Sequence, residues 1–465
     1  MAYDFDLICI GSGPAGQRAA VQAAKLGKKA AIVERRRDVG GVCVDTGTIP
    51  SKTLREAVLY FSGIGRNRFD KRQGSRDGVR PTAEQLLWRV AETIRIQQEV
   101  VEDQLRRNDV TMILGEGYFL DAHTIGVRQE RGETRYSAEI ILIAVGTFPA
   151  APPGVPVDGQ IVLTSDAIVG LKSLPKTMAV VGAGVIGIEY AAMFAELGIE
   201  ITIVEKRERP LEFLDREIVD ELMHKMRQRN ITFRLGETVA SVAIDAASGK
   251  RAVILLESGK RIVADAVLYS VGRVAATDRL ELGAAGLTPG ERGKISVDEE
   301  FRTLVPNIFA AGDVLGAPSL AAVSAEQGRL AACHAFGAAS GPMAKHFPYG
   351  IYAIPEISMV GATEKELTEA RVPYETGVAR YREIARGQIL GDDSGFFKML
   401  FHRETRKLLG VHVMGTAATE LVHIGQAVLA LGGGLDYFIE TVFNYPTLAE
   451  CYKVAALDAA NKLRA

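Results

Sequence analysis

Apolar positions in FDLICIGSGPAGQRAAVQAAKLGKKAAIVER run together for a strand's length and then break at Gly11, Gly13 and Gly16. They continue through an Ala-rich helical stretch and close in a second apolar strand that ends at Glu34. The same order returns in TMAVVGAGVIGIEYAAMFAELGIEITIVEK, with Gly182, Gly184, Gly187 and a terminal Glu205. The offsets from the first glycine to the acid coincide in the two segments, so a whole strand–helix–strand unit is repeated. EIILIAVGTFP and AVLYSVGRVA are two further apolar strands, each closed by a glycine turn at Gly146 and Gly272. Farther on, GFFKMLFHRETRKLLGVHVMG alternates apolar and polar residues as hairpin strands do. ATELVHIGQAVLALGGG reads as a helix with one apolar face, carried by Leu421, Ile424 and Val428, and glycines after its end. That face calls for a core or a partner.

These patterns predict an α/β protein with two Rossmann-like dinucleotide-binding domains, one inserted in the other, and a third, α+β domain. The first domain takes residues 1–148 and resumes over 272–345, through NIFAAGDV and a helix from about Pro318. The inserted one takes 149–271, and the last takes 346–465. The length of 465 residues suits this division, at about 100–200 residues per domain.

Composition narrows the class. Hydrophobic residues at 47% and charged ones at 24% make an ordinary globular profile. A net charge of −2 offers nothing overall to nucleic acid or anionic lipid. The basic stretch GRNRFDKRQGSRDGVRP, with Arg66, Lys71 and Arg76, has one aromatic residue, Phe69, too few to interleave its charges for stacking on bases, so it reads as a solvated loop. The four cysteines, Cys9, Cys43, Cys333 and Cys451, are scattered, which predicts neither a disulfide framework nor a metal site. With no signal segment and no apolar run of membrane length, the expected place is the cytoplasm.

The glycine spacing carries the chemistry. The first glycine makes the tight turn, the second lets the backbone approach a pyrophosphate, and the third lets helix and strand pack closely. The helix N-terminus then offers N–H groups and partial positive charge to the phosphates. Glu34 and Glu205 stand where they would accept hydrogen bonds from a ribose diol. Asp313, directly after an apolar strand and a glycine, suits the hydroxyls of a ribityl chain.

GGVCVDTGTIPSK, VGAGVIGIEY, IFAAGDV and FNYPTLAE resemble, in order and spacing, the FAD-dependent pyridine nucleotide–disulfide oxidoreductases. The resemblance spans essentially the whole chain. It implies FAD held by Gly11, Gly13, Gly16, Glu34, Gly41, Val42, Cys43, Lys52, Gly117, Gly146, Asp313 and Ala321. It implies NAD or NADP held by Gly182, Gly184, Gly187, Glu205, Lys206, Arg207, Arg209, Val239 and Gly272. Lys52 would lie beside flavin N5 and pair with Glu189, although a purely structural ion pair is the plainer reading. The last domain would be the dimerisation domain of a homodimer, with Tyr445 near the other subunit's flavin.

The family's thiol relay is incomplete. Cys43 is present, but Thr48 stands where the second cysteine belongs, and a hydroxyl cannot take part in disulfide exchange. In the segment that carries the family's acid–base histidine, the sequence has Tyr445 with Glu450 following, and no histidine occurs after His423. An ordinary tyrosine, with a pKa near 10, is a poor base at neutral pH, so packing is the plainer role for Tyr445. For Cys43 the plainer role is a small buried residue. A flavin reaction that needs neither sulfur is hydride exchange between two nicotinamides, and NADPH-to-NAD⁺ exchange by a ping-pong route through flavin N5 is the expected activity. In VEKRERP, Glu205 is followed by Lys206, Arg207 and Arg209, which would serve a ribose diol and a 2′-phosphate in turn. Solvated loop charges are the alternative. A quinone or dye reductase, a non-catalytic flavin sensor, and a disulfide reductase using Cys43 alone remain as rival activities.

Overall fold

The computed structural model describes residues 3–63, 81–130, 132–245 and 251–464. The basic stretch around Arg66, Lys71 and Arg76 lies outside the described residues.

The first sheet is built on parallel strands Thr111–Leu114, Ala30–Glu34, Phe5–Ile10 and Gly132–Ile143. Its inner strands are apolar on both faces because both are covered: helices pack on the face of Leu7, Cys9 and Ile32, and Phe119, Ile125 and Val127 pack on the face of Ile8, Ile10 and Val33. The outer half of Gly132–Ile143 turns into an antiparallel meander with Thr124–Gln129 and Glu116–Phe119. Ile308–Ala310 pairs in parallel with residues 141–143, which brings a segment distant in sequence beside the first strand's neighbour.

The second sheet repeats the order. Parallel strands Ile231–Leu235, Glu200–Glu205, Thr177–Val181, Ala266–Tyr269 and Val162–Thr164 lie side by side, with a three-stranded antiparallel sheet beyond them. The chain passes between the two units through a short ribbon in which Thr147–Pro149 pairs with Arg273–Ala275. Arg273 fastens that crossing by donating to Thr147 Oγ1 at 2.8 Å and to the Thr147 carbonyl at 2.9 Å.

The third unit is a five-stranded antiparallel sheet with Ala418–Ala430 and Glu450–Arg464 packed on it. Leu421 and Val428 are buried in this unit's own core and Ile424 packs against that core. The apolar face of Ala418–Ala430 is therefore satisfied within the chain, and this unit's exposed apolar surface is a different one. Leu431, Val442 and Tyr445 stand out from it at 86%, 89% and 68% exposure. Among the described residues no helix is long and apolar enough to cross a membrane.

Lys398 bolts the second unit to the third. It lies on Phe396–His402, fully buried, with its ammonium 3.1 Å from both Asp215 oxygens and 2.7 Å from Glu217 Oε2, and paired also with Glu364. Burial pushes its pKa down, but the Glu217 and Glu364 carboxylates overcome that and leave it raised. Asp215 is itself buried and caps the Arg216–Arg227 helix. Lys398→Met would strand that carboxylate, at an expected cost of about 3–5 kcal/mol in a denaturant titration. A loss under about 1 kcal/mol would show that water reaches the cluster and screens it.

Candidate active site between two dinucleotide folds

Both glycine turns form cradles that side chains would fill. A Cβ on Gly11, at φ +109°, would lie 2.4 Å from the Ala144 carbonyl oxygen, and one on Gly182, at φ +98°, would lie 2.5 Å from that of Ser270. A Cβ on Gly16 would meet Gly11 O at 2.0 Å, and one on Gly187 would meet Gly182 O at 2.0 Å. The third glycine of each set thus permits a backbone contact, and the second, Gly13 or Gly184, leaves open space beside the turn. The helices Pro14–Lys25 and Val185–Glu196 begin there, with no side chain capping their first N–H groups. Such N-termini are made for a pyrophosphate.

The acids close the cradles from the next strand. Glu34 is buried and accepts from Ser12 N at 2.9 Å, Ser12 Oγ at 2.7 Å and Arg36 N at 2.9 Å. Glu205 is buried and accepts from Ala183 N at 2.7 Å and Arg207 N at 3.0 Å. It also takes the Arg207 guanidinium, at 3.0 Å from Nε and 2.9 Å from the outer nitrogen. Burial raises the Glu205 carboxyl, but these donors outweigh it and hold it below the ordinary carboxylate range.

The first cradle opens into a cleft of about 1130 Å³, its mouth included. Of the sequence-expected flavin residues, Gly11, Gly13, Glu34, Gly41, Val42, Cys43, Gly117, Gly146, Asp313 and Ala321 line it together with Thr48. Asp313 arrives on the segment after Ile308–Ala310, and Ala321 begins the Ala321–Ala335 helix. Gly328 lets that helix press on the first one: a Cβ there would lie 2.0 Å from the Ala15 carbonyl oxygen. Burial pushes the Asp313 carboxyl up, opposed by Ser324 at 3.3 Å and by Arg273. Ser12, Arg36, Arg279 and Ser324 also line the cleft and were not singled out from sequence. Only Ser12 could have been, since it sits inside the glycine motif. A dinucleotide with a ribityl arm fits this donor set.

Thr48 opens the Thr48–Ser62 helix just after the short Gly41–Asp45 helix that carries Cys43. Burial raises the Cys43 thiol; a hydrogen bond to Thr48 pulls the other way without prevailing. Lys52 lies one turn on. Its ammonium donates to Glu189 Oε2 at 2.8 Å and to Ser51 Oγ at 3.1 Å, and rests 4.9 Å from the centre of the Tyr352 ring. Glu189 is buried, and its other oxygen accepts from Tyr352 N at 2.8 Å. One residue from each unit thus meets here, and Tyr352 is a member that sequence reasoning missed, because it belongs to no motif. Arg55, a turn beyond Lys52, adds bonds to Ala353 O at 3.2 Å and Glu356 at 3.1 Å.

The remaining expected residues lie apart. Arg209 pairs with Asp220, and Lys206 is exposed. Backbone bonds from Gly236 to Arg207 and from Glu237 to Glu205 tie the loop to the segment leading to Val239, and Gly272 sits in the domain crossing at φ +113°. Tyr445 is absent from the lining of its own chain's cleft. Glu450 starts the last helix, with one carboxylate oxygen buried and unbonded.

Residues 5–328 match the family described as pyridine nucleotide-disulphide oxidoreductase, and residues 347–456 match that family's dimerisation domain. The chain belongs to the pyridine nucleotide–disulphide oxidoreductase family. Within the family it is 54% identical over 465 residues to a protein of Mycobacterium bovis named soluble pyridine nucleotide transhydrogenase, covering 99% of this chain and 98% of that one. It is 42% identical over 464 residues to a protein of the same name from Photobacterium profundum, covering 99% and 98%. Among solved structures it is similar to LpdA of Mycobacterium tuberculosis, with a TM-score of 0.89 and 27% identity over 97% of this chain and 99% of that one. It is also similar to RclA of Escherichia coli, described as a HOCl-induced flavoprotein disulfide reductase, with a TM-score of 0.87 and 26% identity over 97% and 99%.

Proposed function

We propose that this family member exchanges hydride between NADPH and NAD⁺ by a ping-pong route, with FAD in the first cradle and the two nicotinamide nucleotides taking turns in the second. The observation that carries this reading is the pairing of two intact cradles with a sulfur relay broken at Thr48. The named relatives support it. FAD, when bound, supplies a ring nitrogen that accepts and returns a hydride. The chain supplies the rest. The two helix N-termini hold pyrophosphates, Glu34 and Glu205 orient riboses, and Asp313 takes ribityl hydroxyls. The Lys52–Glu189 pair fixes a positive charge at the junction of the three units, where Tyr352 shields it.

In this reading residues 1–148 with 272–345 form the flavin domain, 149–271 the nicotinamide nucleotide domain and 346–465 the interface of a cytoplasmic homodimer. The match to a dimerisation domain and the exposed Val442 and Tyr445 favour the dimer, with Tyr445 approaching the partner subunit's cleft.

The test is NADPH oxidation by a thionicotinamide analogue of NAD⁺ with the purified yellow protein. Parallel double-reciprocal lines are expected. A colourless protein, or one that reduces quinones and dyes but exchanges no hydride, would overturn the reading.

Lipoamide and glutathione disulfide should not be reduced at a measurable rate. Thr48→Cys should not restore that activity, because no histidine follows His423 to protonate a leaving thiolate. Rapid dihydrolipoamide oxidation by the unaltered protein would contradict this, as would a Thr48→Cys variant that turns over lipoamide.

A further inference from the structure

The two halves of the repeat treat their arginines differently. Arg36 and Arg207 each stand two residues after the cradle acid, and each gives that acid its backbone N–H. The Arg36 side chain then turns away to Asp45. Asp45 stands eleven residues after Glu34, and the residue eleven after Glu205 is Arg216, so the second half has no such acid at the matching position. The Arg207 side chain turns back and grips Glu205 with two nitrogens.

A carboxylate offers about four acceptor sites, two on each oxygen. On Glu205 two are taken by the Ala183 and Arg207 backbone N–H groups and two by the Arg207 guanidinium. A ribose diol donates two hydrogen bonds to such an acid. The backbone donors belong to the cradle and the strand end and cannot leave. The guanidinium, on a side chain 38% exposed, has an open route to water.

We propose that Arg207 is a swinging latch on the ribose seat, an internal competitor for the diol of NAD(H) and a ligand for the 2′-phosphate of NADP(H). This rests on the reading of the second cradle as the nicotinamide nucleotide seat. With NAD(H) the guanidinium is expelled from Glu205 and gains nothing from the ligand. With NADP(H) one hydroxyl is replaced by a phosphate that Glu205 alone would repel, and the departing guanidinium meets it bidentately. One side chain thus works against one nucleotide and for the other, which narrows the gap between them in a seat that must serve both. Its return to Glu205 favours departure of either product before the next nucleotide enters.

The test is calorimetric titration of the flavin-loaded protein with ADP-ribose and with its 2′-phosphate, neither of which carries a nicotinamide to react. Arg207→Gln should bind ADP-ribose about three- to tenfold more tightly and the 2′-phosphate about tenfold more weakly, from the loss of one partly exposed charged pair. Arg207→Lys, which keeps the charge but not the two-pronged grip, should also tighten ADP-ribose while holding most of the phosphate affinity. Flavin content and melting temperature confirm that both variants are folded. Unchanged or weaker ADP-ribose binding in both variants would overturn the latch, while hydride exchange by the unaltered protein would leave the proposed function standing. If the unaltered protein binds neither compound, the second cradle is not a ribose seat, and the latch falls with it.

Discussion

Gly187→Ala should give a yellow protein that neither NADH nor NADPH reduces. The added methyl would lie 2.0 Å from the Gly182 carbonyl oxygen and 2.8 Å from Ser270 Oγ. Neither can yield. Gly182 is held by its own N–H bond to Val204 O at 2.8 Å, and Ser270 Oγ donates to Val181 O at 2.9 Å and Gly182 O at 3.1 Å. The Val185–Glu196 helix must therefore move. It is buried along most of its length, from Ile188 through Ala195, so it cannot roll freely. A displaced N-terminus no longer aims its N–H groups at a pyrophosphate. We expect the rate of flavin reduction by either nucleotide to fall more than a hundredfold, about 3 kcal/mol in the barrier. Rapid mixing at the flavin absorbance measures it. The first cradle is a separate unit, so flavin content and reduction by dithionite should stay normal. Reduction by NADH within threefold of the unaltered protein would show that the helix seat tolerates the methyl, and that the cradle is not where the nucleotide binds.

The second large effect concerns choice of nucleotide. Replacing Arg207 and Arg209 together with Ala should lower kcat/KM for NADPH about ten- to a hundredfold and leave NADH undiminished. A charged hydrogen bond to phosphate is worth about 1.5–3 kcal/mol before solvent discounts it. The two arginines are already engaged, Arg207 with Glu205 and Arg209 with Asp220. What they give to a phosphate is the difference between two sets of charged contacts, which favours the lower half of that range. Steady-state kinetics with each nucleotide at fixed acceptor concentration read it out. Glu205→Gln should act in the opposite sense and weaken NADH more than NADPH. Equal losses for both nucleotides in the arginine variant would mean that the loop supports the fold and does not select the ligand.

Much of this was legible along the chain because it is local. A tight turn needs glycine at set offsets from a strand, and a ribose acid must end the next parallel strand, so Gly11 to Glu34 and Gly182 to Glu205 announce themselves by spacing alone. Thr48 standing five positions after Cys43, where the resembling segment would carry a second cysteine, is likewise read within one short stretch. The α/β class followed from the same periodicities.

Partner choice at long range was not legible, since it depends on which surfaces meet once three cores have packed. The sequence called for something to cover the face of Leu421, Ile424 and Val428; the third unit's own sheet covers it, because a helix joined closely to a sheet buries its apolar stripe there. Lys398 lies in an apolar strand of a hairpin, yet it is an inter-unit ion cluster, for only the packed structure brings Asp215, Glu217 and Glu364 to it. Tyr352 joins Lys52 and Glu189 from outside every motif. The direction of Arg207 belongs to this second kind. Its position two residues after Glu205 is written in the sequence, but the guanidinium could equally have faced solvent, and only the tertiary structure decides that it closes on the acid, where the guanidinium and the fixed N–H groups of Ala183 and Arg207 keep the carboxylate charged against the opposing pull of burial.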